Sequence, residues 1–234
     1  SSQSTQASSI QLLTDIPSID TAGKNRATIS ALVRGPGGVL LPDVPVLFSA
    51  DQNAFLQQLD SVTGEAGNAQ AILTSQGDPR NRTVSVTAQS GTASSTISVA
   101  VTGTSISISG PTAVANQDAA SYFVQLTDSA GNGIASENIL VTSSGNNPIQ
   151  ASSLTTNGSG AVNFTLTASN GGTDTITVSA YEGSSKVSTK STVTISEDSF
   201  VFDTPPQGQE IEIGLDSQNA PITETVTVTW NQNG

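Results

Sequence analysis

Nucleophilic catalysis needs a base beside its nucleophile, and a transition-metal site needs imidazole or thiolate. This 234-residue chain contains no histidine and no cysteine. A Ser-His-Asp or Cys-His arrangement is therefore impossible, and the usual ligands of zinc, copper and iron are missing. Disulfide scaffolds go with them. Gly158-Ser159-Gly160 has the look of a nucleophile elbow but not its five-residue spacing, so it reads as a turn. Gly131-Asn132-Gly133 and the Gly-rich 35–38 have no helical pattern after them to complete a phosphate cradle, and read as hairpin turns. Paired carboxylates for glycoside hydrolysis want aromatic sugar platforms. The chain has one Trp and two Tyr, and Trp230 reads as a core or edge aromatic of a repeat rather than a platform. Lysine–asparagine isopeptide crosslinks would need a buried lysine, whereas Lys186 and Lys190 lie on an alternating, solvent-facing stretch and only Lys24 is left. Asn81-Arg82-Thr83, Asn157-Gly158-Ser159 and Asn163-Phe164-Thr165 fit a glycosylation sequon, a triplet that arises easily in Ser/Thr-rich text. Calcium is the one cofactor with a case. Glu197, Asp198 and Asp203 cluster at a repeat boundary, where hard oxygen ligands could hold an ion between domains or form a solvated acidic linker. No catalytic or cofactor-binding residue is expected, and the chain is expected not to be an enzyme.

Charge narrows the partners. The formal net charge is −12, with no basic footprint for nucleic acid or anionic lipid anywhere. Residues 197–234 hold seven acids and no base, which favours solubility over adhesion to other acidic polymers. No apolar run approaches the ~18–20 residues of a membrane span. The absence of methionine and of a signal peptide predicts that the text starts inside a longer or processed protein.

What must position these residues is a stretch that occurs twice. Residues 155–167 (TTNGSGAVNFTLT) and 62–74 (VTGEAGNAQAILT) superpose at an offset of 93, which brings Thr63 onto Thr156, Gly67 onto Gly160 and Ala69, Ala71 and Leu73 onto Val162, Phe164 and Leu166. Each copy is a Gly-bearing turn feeding a strand of apolar/polar alternation. Upstream, Ile29, Ala31 and Val33 match Tyr122, Val124 and Leu126, and Val46 and Phe48 match Ile139 and Val141. Downstream, Val84, Val86 and Ala88 are matched to Ile176, Val178 and Ala180 with one residue of slip in the preceding loop. Seven or so short strands per ~93 residues predict an all-β chain of tandem Greek-key sandwiches arranged end to end, each about 35–40 Å long. The expected division is a lead-in at 1–8, domains at 9–102 and 103–196, and a partial third repeat at 197–234 that is truncated or completed by a partner strand. Gly103, in the junction 101–105, is expected to permit a bend.

The blocks LTDSAGNGIASENILVT (126–142) and its degenerate copy VRGPGGVLLPDVPVLFS (33–49), with the turn-strand block and the strands TVSVTA (83–88) and TITVSA (175–180), resemble bacterial immunoglobulin-like domains of group 1, the invasin and intimin type. The likeness covers about residues 8–196 twice over, and departs from the pattern at 35–38. It implies a non-enzymatic stalk of a bacterial cell-surface adhesin, extracellular and anchored to the outer membrane through a part of the protein outside this chain. Its partners would be neighbouring Ig-like domains and a host or bacterial surface protein. Two alternatives remain: a binding module acting through loops 51–54, 76–81 and 145–148 or through the tail's strand edge, and accessory Ig-like domains of a secreted enzyme or phage tail protein.

Overall fold

The computed structural model describes residues 6–197, 199–205, 208, 210 and 213–231. Period-two alternation becomes strand wherever one face can be buried. β1 (Ser9–Thr14), β2 (Ser18–Asp20), β3 (Ala27–Arg34), β4 (Leu47–Ala50), β5 (Phe55–Gln58), β6 (Asn68–Thr74), β7 (Arg82–Ser90) and β8 (Ala93–Thr102) form the first sandwich. One sheet has the order β1-β3-β6-β5 and the other β2-β8-β7-β4. The second sandwich repeats the plan with β9 (Ser105–Ser109), β10 (Ala113–Val114), β11 (Ala119–Thr127), β12 (Ile139–Ser143), β13 (Ile149–Gln150), β14 (Ala161–Thr167), β15 (Gly172–Ala180) and β16 (Val187–Ile195). Its sheets run β13-β14-β11-β9 and β10-β16-β15-β12. β17 (Ser199–Thr204) and β18 (Thr227–Asn231) pair antiparallel beyond it.

The sequence breaks at Pro17 and Gly110-Pro111 are where the first strand of each sandwich changes sheets. β1 and β9 pair antiparallel with β3 and β11, while β2 and β10 run parallel to the last strands β8 and β16. Proline ends pairing in one sheet because it has no N–H to donate.

Each sandwich has its own core. Ile29, Ala31, Val33, Ala69, Ala71, Leu73, Val84, Val86, Val99 and Val101 are fully buried in the first. Tyr122, Val124, Leu126, Phe164, Leu166, Ile176, Val178 and Val193 fill the second. There Tyr122 stacks on Phe164 with ring centroids 5.3 Å apart, and its hydroxyl donates to Pro111 O at 2.8 Å, which satisfies the polar end of a buried ring.

The repeated threonine and glycine have the same work in both copies. Thr63 and Thr156 are buried. Thr63 Oγ1 accepts from Val44 N–H and donates to Leu41 O, and Thr156 Oγ1 accepts from Glu137 N–H. Gly67 and Gly160 have φ of +71° and +75°. A Cβ at Gly160 would lie 2.3 Å from Leu126 O, and one at Gly67 2.8 Å from Leu40 Cβ. Only glycine fits either position.

One expected match is overturned. Phe48 pairs with Ala88 and Val141 with Val178, while Arg82 faces Val101 and Gly172 faces Ile195. Ala88 therefore corresponds to Val178, not Ala180, and Val84 to Asp174. The slip is three residues rather than one, because the loop before β7 has seven residues (75–81) and the loop before β15 has four (168–171). Alternation reads the same after a two-residue shift, so the text alone did not expose the error.

Candidate functional site

The joint between the sandwiches gathers a set of specific polar contacts. β8 ends at Thr102, β9 begins at Ser105, and Gly103 and Thr104 connect them. Thr104 is only 5% exposed. Its N–H donates to Asn81 Oδ1 at 3.0 Å, and its carbonyl accepts from Asn81 Nδ2 at 2.9 Å. The asparagine amide thus imitates one residue of a partner strand. The Thr104 hydroxyl donates to Pro79 O.

A second set of contacts comes from Ser129, on the turn after β11. Asp128 Oδ1 accepts from the N–H groups of Ala130 and Asn132, both at 2.9 Å, which fixes the turn. Ser129 N–H then donates to Thr21 Oγ1 at 3.0 Å, and its Oγ accepts from Ala22 N–H at 2.9 Å and donates to Asp20 Oδ1 at 3.3 Å. Gly103 was expected to be a hinge. It has a φ of +119°, and a Cβ there would lie 2.4 Å from Ser129 Cβ. Its missing side chain lets the two domains touch, so the expected bend is replaced by a contact.

The third set is charged. Arg82, 6% exposed, sends its guanidinium into the carbonyls of Gln52, Ser75, Asp78 and Arg80 at 2.7–3.0 Å. This buried cation ties loops 51–54 and 75–81 together, as five fixed donors allow. Asp78 forms a salt bridge with Arg80 at 2.6 Å and accepts from Asn53 at 3.2 Å. Burial pushes the Asp78 carboxyl up, but hydrogen bonds from Arg80 and Asn53 and the charge of Arg82 outweigh it and hold it well below the usual range. Arg80 is within electrostatic reach of Tyr181 and Glu137 in the second sandwich. Burial first, then the charges of Glu137 and Asp78, push the Tyr181 phenol up, with Arg80 acting in the opposite sense.

Sequence reasoning placed loops 51–54, 76–81 and 145–148 in a recognition role. Two of these, 51–54 and 76–81, are built into the joint or brace it. The third surrounds Asp174, a buried carboxylate that accepts from Ser143 and Ser144 hydroxyls, Gly145 N–H and Asn147 Nδ2 at 2.5–3.1 Å. Asp78, Arg80, Asn81, Thr104 and Ser129 were missed as a group. Their signal was the length difference between the two loops, together with the placement of two of the first domain's five bases at Arg80 and Arg82.

Of the three acids considered for calcium, Asp198 lies outside the described residues. Glu197 packs against Gly171, whose added Cβ would lie 2.9 Å from Glu197 Cγ. Asp203 accepts from the Thr229 hydroxyl at 2.5 Å. Among the described residues no three acidic groups gather where they could hold a metal ion. Nor, among them, is any helix long and apolar enough to cross a membrane.

No curated protein sequence matches the chain. Among solved structures it is similar to the D0–D1 domain of intimin, with 21% identity, 79% of this chain and 97% of that chain covered, and a TM-score of 0.37. It is also similar to the Yersinia pseudotuberculosis adhesin InvE, with 13% identity, 80% and 58% covered and a TM-score of 0.49. Invasin, a bacterial integrin-binding protein, aligns at 19% identity with 92% and 48% covered and a TM-score of 0.41. The chain thus spans about half the length of the last two. Residues 10–104 match the bacterial Ig-like domain (group 1), a span that runs from β1 through the buried Thr104. The strand order of that matched span is repeated in β9–β16.

Proposed function

We propose that this chain is a structural spacer of a bacterial surface adhesin, a non-enzymatic stalk segment that carries a binding module away from the cell. The observation behind this reading is the clamped joint. Two sandwiches with separate cores are held end-on by hydrogen bonds that join Thr104 to Asn81 and Pro79, and Ser129 to Thr21, Ala22 and Asp20. Each bond is worth about 0.5–1.5 kcal/mol, so several together hold an angle that a bare linker would not. Small-angle scattering tests the shape. A rod is expected, and a radius of gyration near the ~18 Å of a single 234-residue globule would count against it. In a whole adhesin, exchanging this segment for another stiff one of equal length should preserve binding and reach.

A second reading, a binding module, is favoured by one feature of the second sandwich. In the first, Gln58 closes the outer edge of β4: Phe48 N–H donates to Gln58 Oε1, and Gln58 Nε2 donates to Val46 O. The position equivalent to Gln58 is Ala151, because Leu56 pairs with Leu73 as Ile149 does with Leu166. Alanine cannot supply that cap beside Leu140, which is 60% exposed as its counterpart Leu47 is 64% exposed. An intimin fragment has been solved in complex with the intimin-binding domain of its translocated receptor. Binding of a surface protein by the isolated chain, abolished by Leu140→Lys, would move the assignment to this second reading. Glu197 and Asp203 are read as holding no ion, so millimolar calcium and a chelator should give the same melting temperature.

A further inference from the structure

The two domains differ at the loop that meets the connector, which has seven residues at 75–81 and four at 168–171. Strand pairing puts Arg82 opposite Val101 and Gly172 opposite Ile195. Thr74 and Thr167 likewise close equivalent strands, pairing in register with β5 and β11. The extra length therefore falls wholly within the loop. It carries Asp78, Pro79 and Arg80 beside Asn81, and this stretch grips the connector: Pro79 O takes the Thr104 hydroxyl while the Asn81 amide pairs with the Thr104 backbone. Asp78 braces Arg80 from behind with both carboxylate oxygens. Arg82 then anchors the loop's base through the carbonyls of Ser75, Asp78 and Arg80. The four-residue loop of the second domain is folded differently. Asn170, exposed, folds back on its own domain: its side chain donates to Gly145 O and its N–H donates to Asn147 Oδ1.

We infer that residues 78–80, with Asn81 beside them, are a lock on the connector: the insert lets the first domain hold stiffly a following Ig-like domain that enters through Thr104 and sets Ser129 on residues 20–22. A domain with the short loop, placed in first position, makes a looser joint. This inference rests on the spacer reading only for its use, since a lock between domains can exist in a binding module too.

The chain has no native cysteine, so a label pair can be introduced at the exposed Ser94→Cys and Thr192→Cys. Pulsed electron–electron resonance on the full chain should give one narrow distance peak. Replacing 75–81 by the four-residue sequence of 168–171 should broaden it into a multi-component distribution. Because that exchange also removes partners of Arg82, a second variant, Arg80→Ala with Asn81→Ala, keeps the loop length and the Arg82 carbonyls. It should lose the narrow peak while both domains keep their melting transitions. An unchanged narrow peak in the folded double variant would overturn the lock, and so would a broad distribution in the parent chain. Adhesion assays are not part of the readout, so the lock and the spacer reading can fail separately.

Discussion

Arg82 and Asp174 are buried charges satisfied by neutral groups of nearby loops rather than by each other. Arg82 meets carbonyls, and removing it leaves them dry and without donors. Arg82→Met should cost about 3–5 kcal/mol, as breaking a buried charge network does, and should appear as an earlier first transition in urea. The carboxylates give the molecule an acid limit. Burial works to raise Asp78, Asp128 and Asp174, yet their hydrogen bonds win and each lies below its ordinary value. A carboxyl depressed in the folded state adds stability above the unfolded value of about 3.9 and loses it as the pH falls further. Denaturation midpoints should therefore hold from pH 7 to about pH 5 and fall below about pH 4. Asp174→Asn should flatten that fall, and a slope identical to the parent's would remove Asp174 from the account. Asp174 also marks a limit of reading text. It takes the place of Val84 in a strand whose neighbours alternate, and no rule of periodicity puts a carboxylate in a core. Only the loop 143–147, folded so that its hydroxyls and amides converge, makes the position tenable.

At the scale of strands and turns, the expected inward faces appear because a pleated strand offers one face to each side. Ile29, Ala31, Val33, Tyr122, Val124 and Leu126 are buried as their alternation says. Thr63, Gly67, Thr156 and Gly160 were legible as a repeat but not as a mechanism, since the close approach that excludes a Cβ comes from chain distant in sequence. Gly160→Ala should destabilise the second sandwich by at least about 1–3 kcal/mol, the cost of a non-glycine residue in left-handed backbone, with the clash at Leu126 O added. Thermal melting resolves this if the first transition stays in place. Gln58→Ala should lose about 1 kcal/mol and open the β4 edge, visible as faster amide exchange at Phe48. The junction residues stayed hidden for a different reason. Asn81, Thr104 and Ser129 are ordinary loop residues in a Ser/Thr-rich chain, and only the packing of one sandwich on the next gives them partners.

For the whole molecule the joint decides the shape. Gly103→Ala puts a methyl group where Ser129 sits, so the domains must part and the Ser129 contacts to Thr21 and Ala22 should be lost. Faster hydrogen exchange at the Ala22 and Ser129 amides, with both cores unchanged, is the expected result. Protection equal to the parent's would show that the contact is dispensable. The parallel pairing of the first and last strands has a further consequence when the chain is under tension. In the first sandwich Ala100 N–H binds Pro17 O and Thr21 N–H binds Thr102 O; in the second, Thr194 N–H binds Thr112 O and Ser196 N–H binds Val114 O. Two strands running the same way, one leading into a domain and one leading out, slide against each other when the ends are drawn apart. Their bonds then bear the pull simultaneously, in shear, instead of tearing one after another like a zip. A domain loaded this way resists a pull by the rate at which it yields rather than by its equilibrium stability.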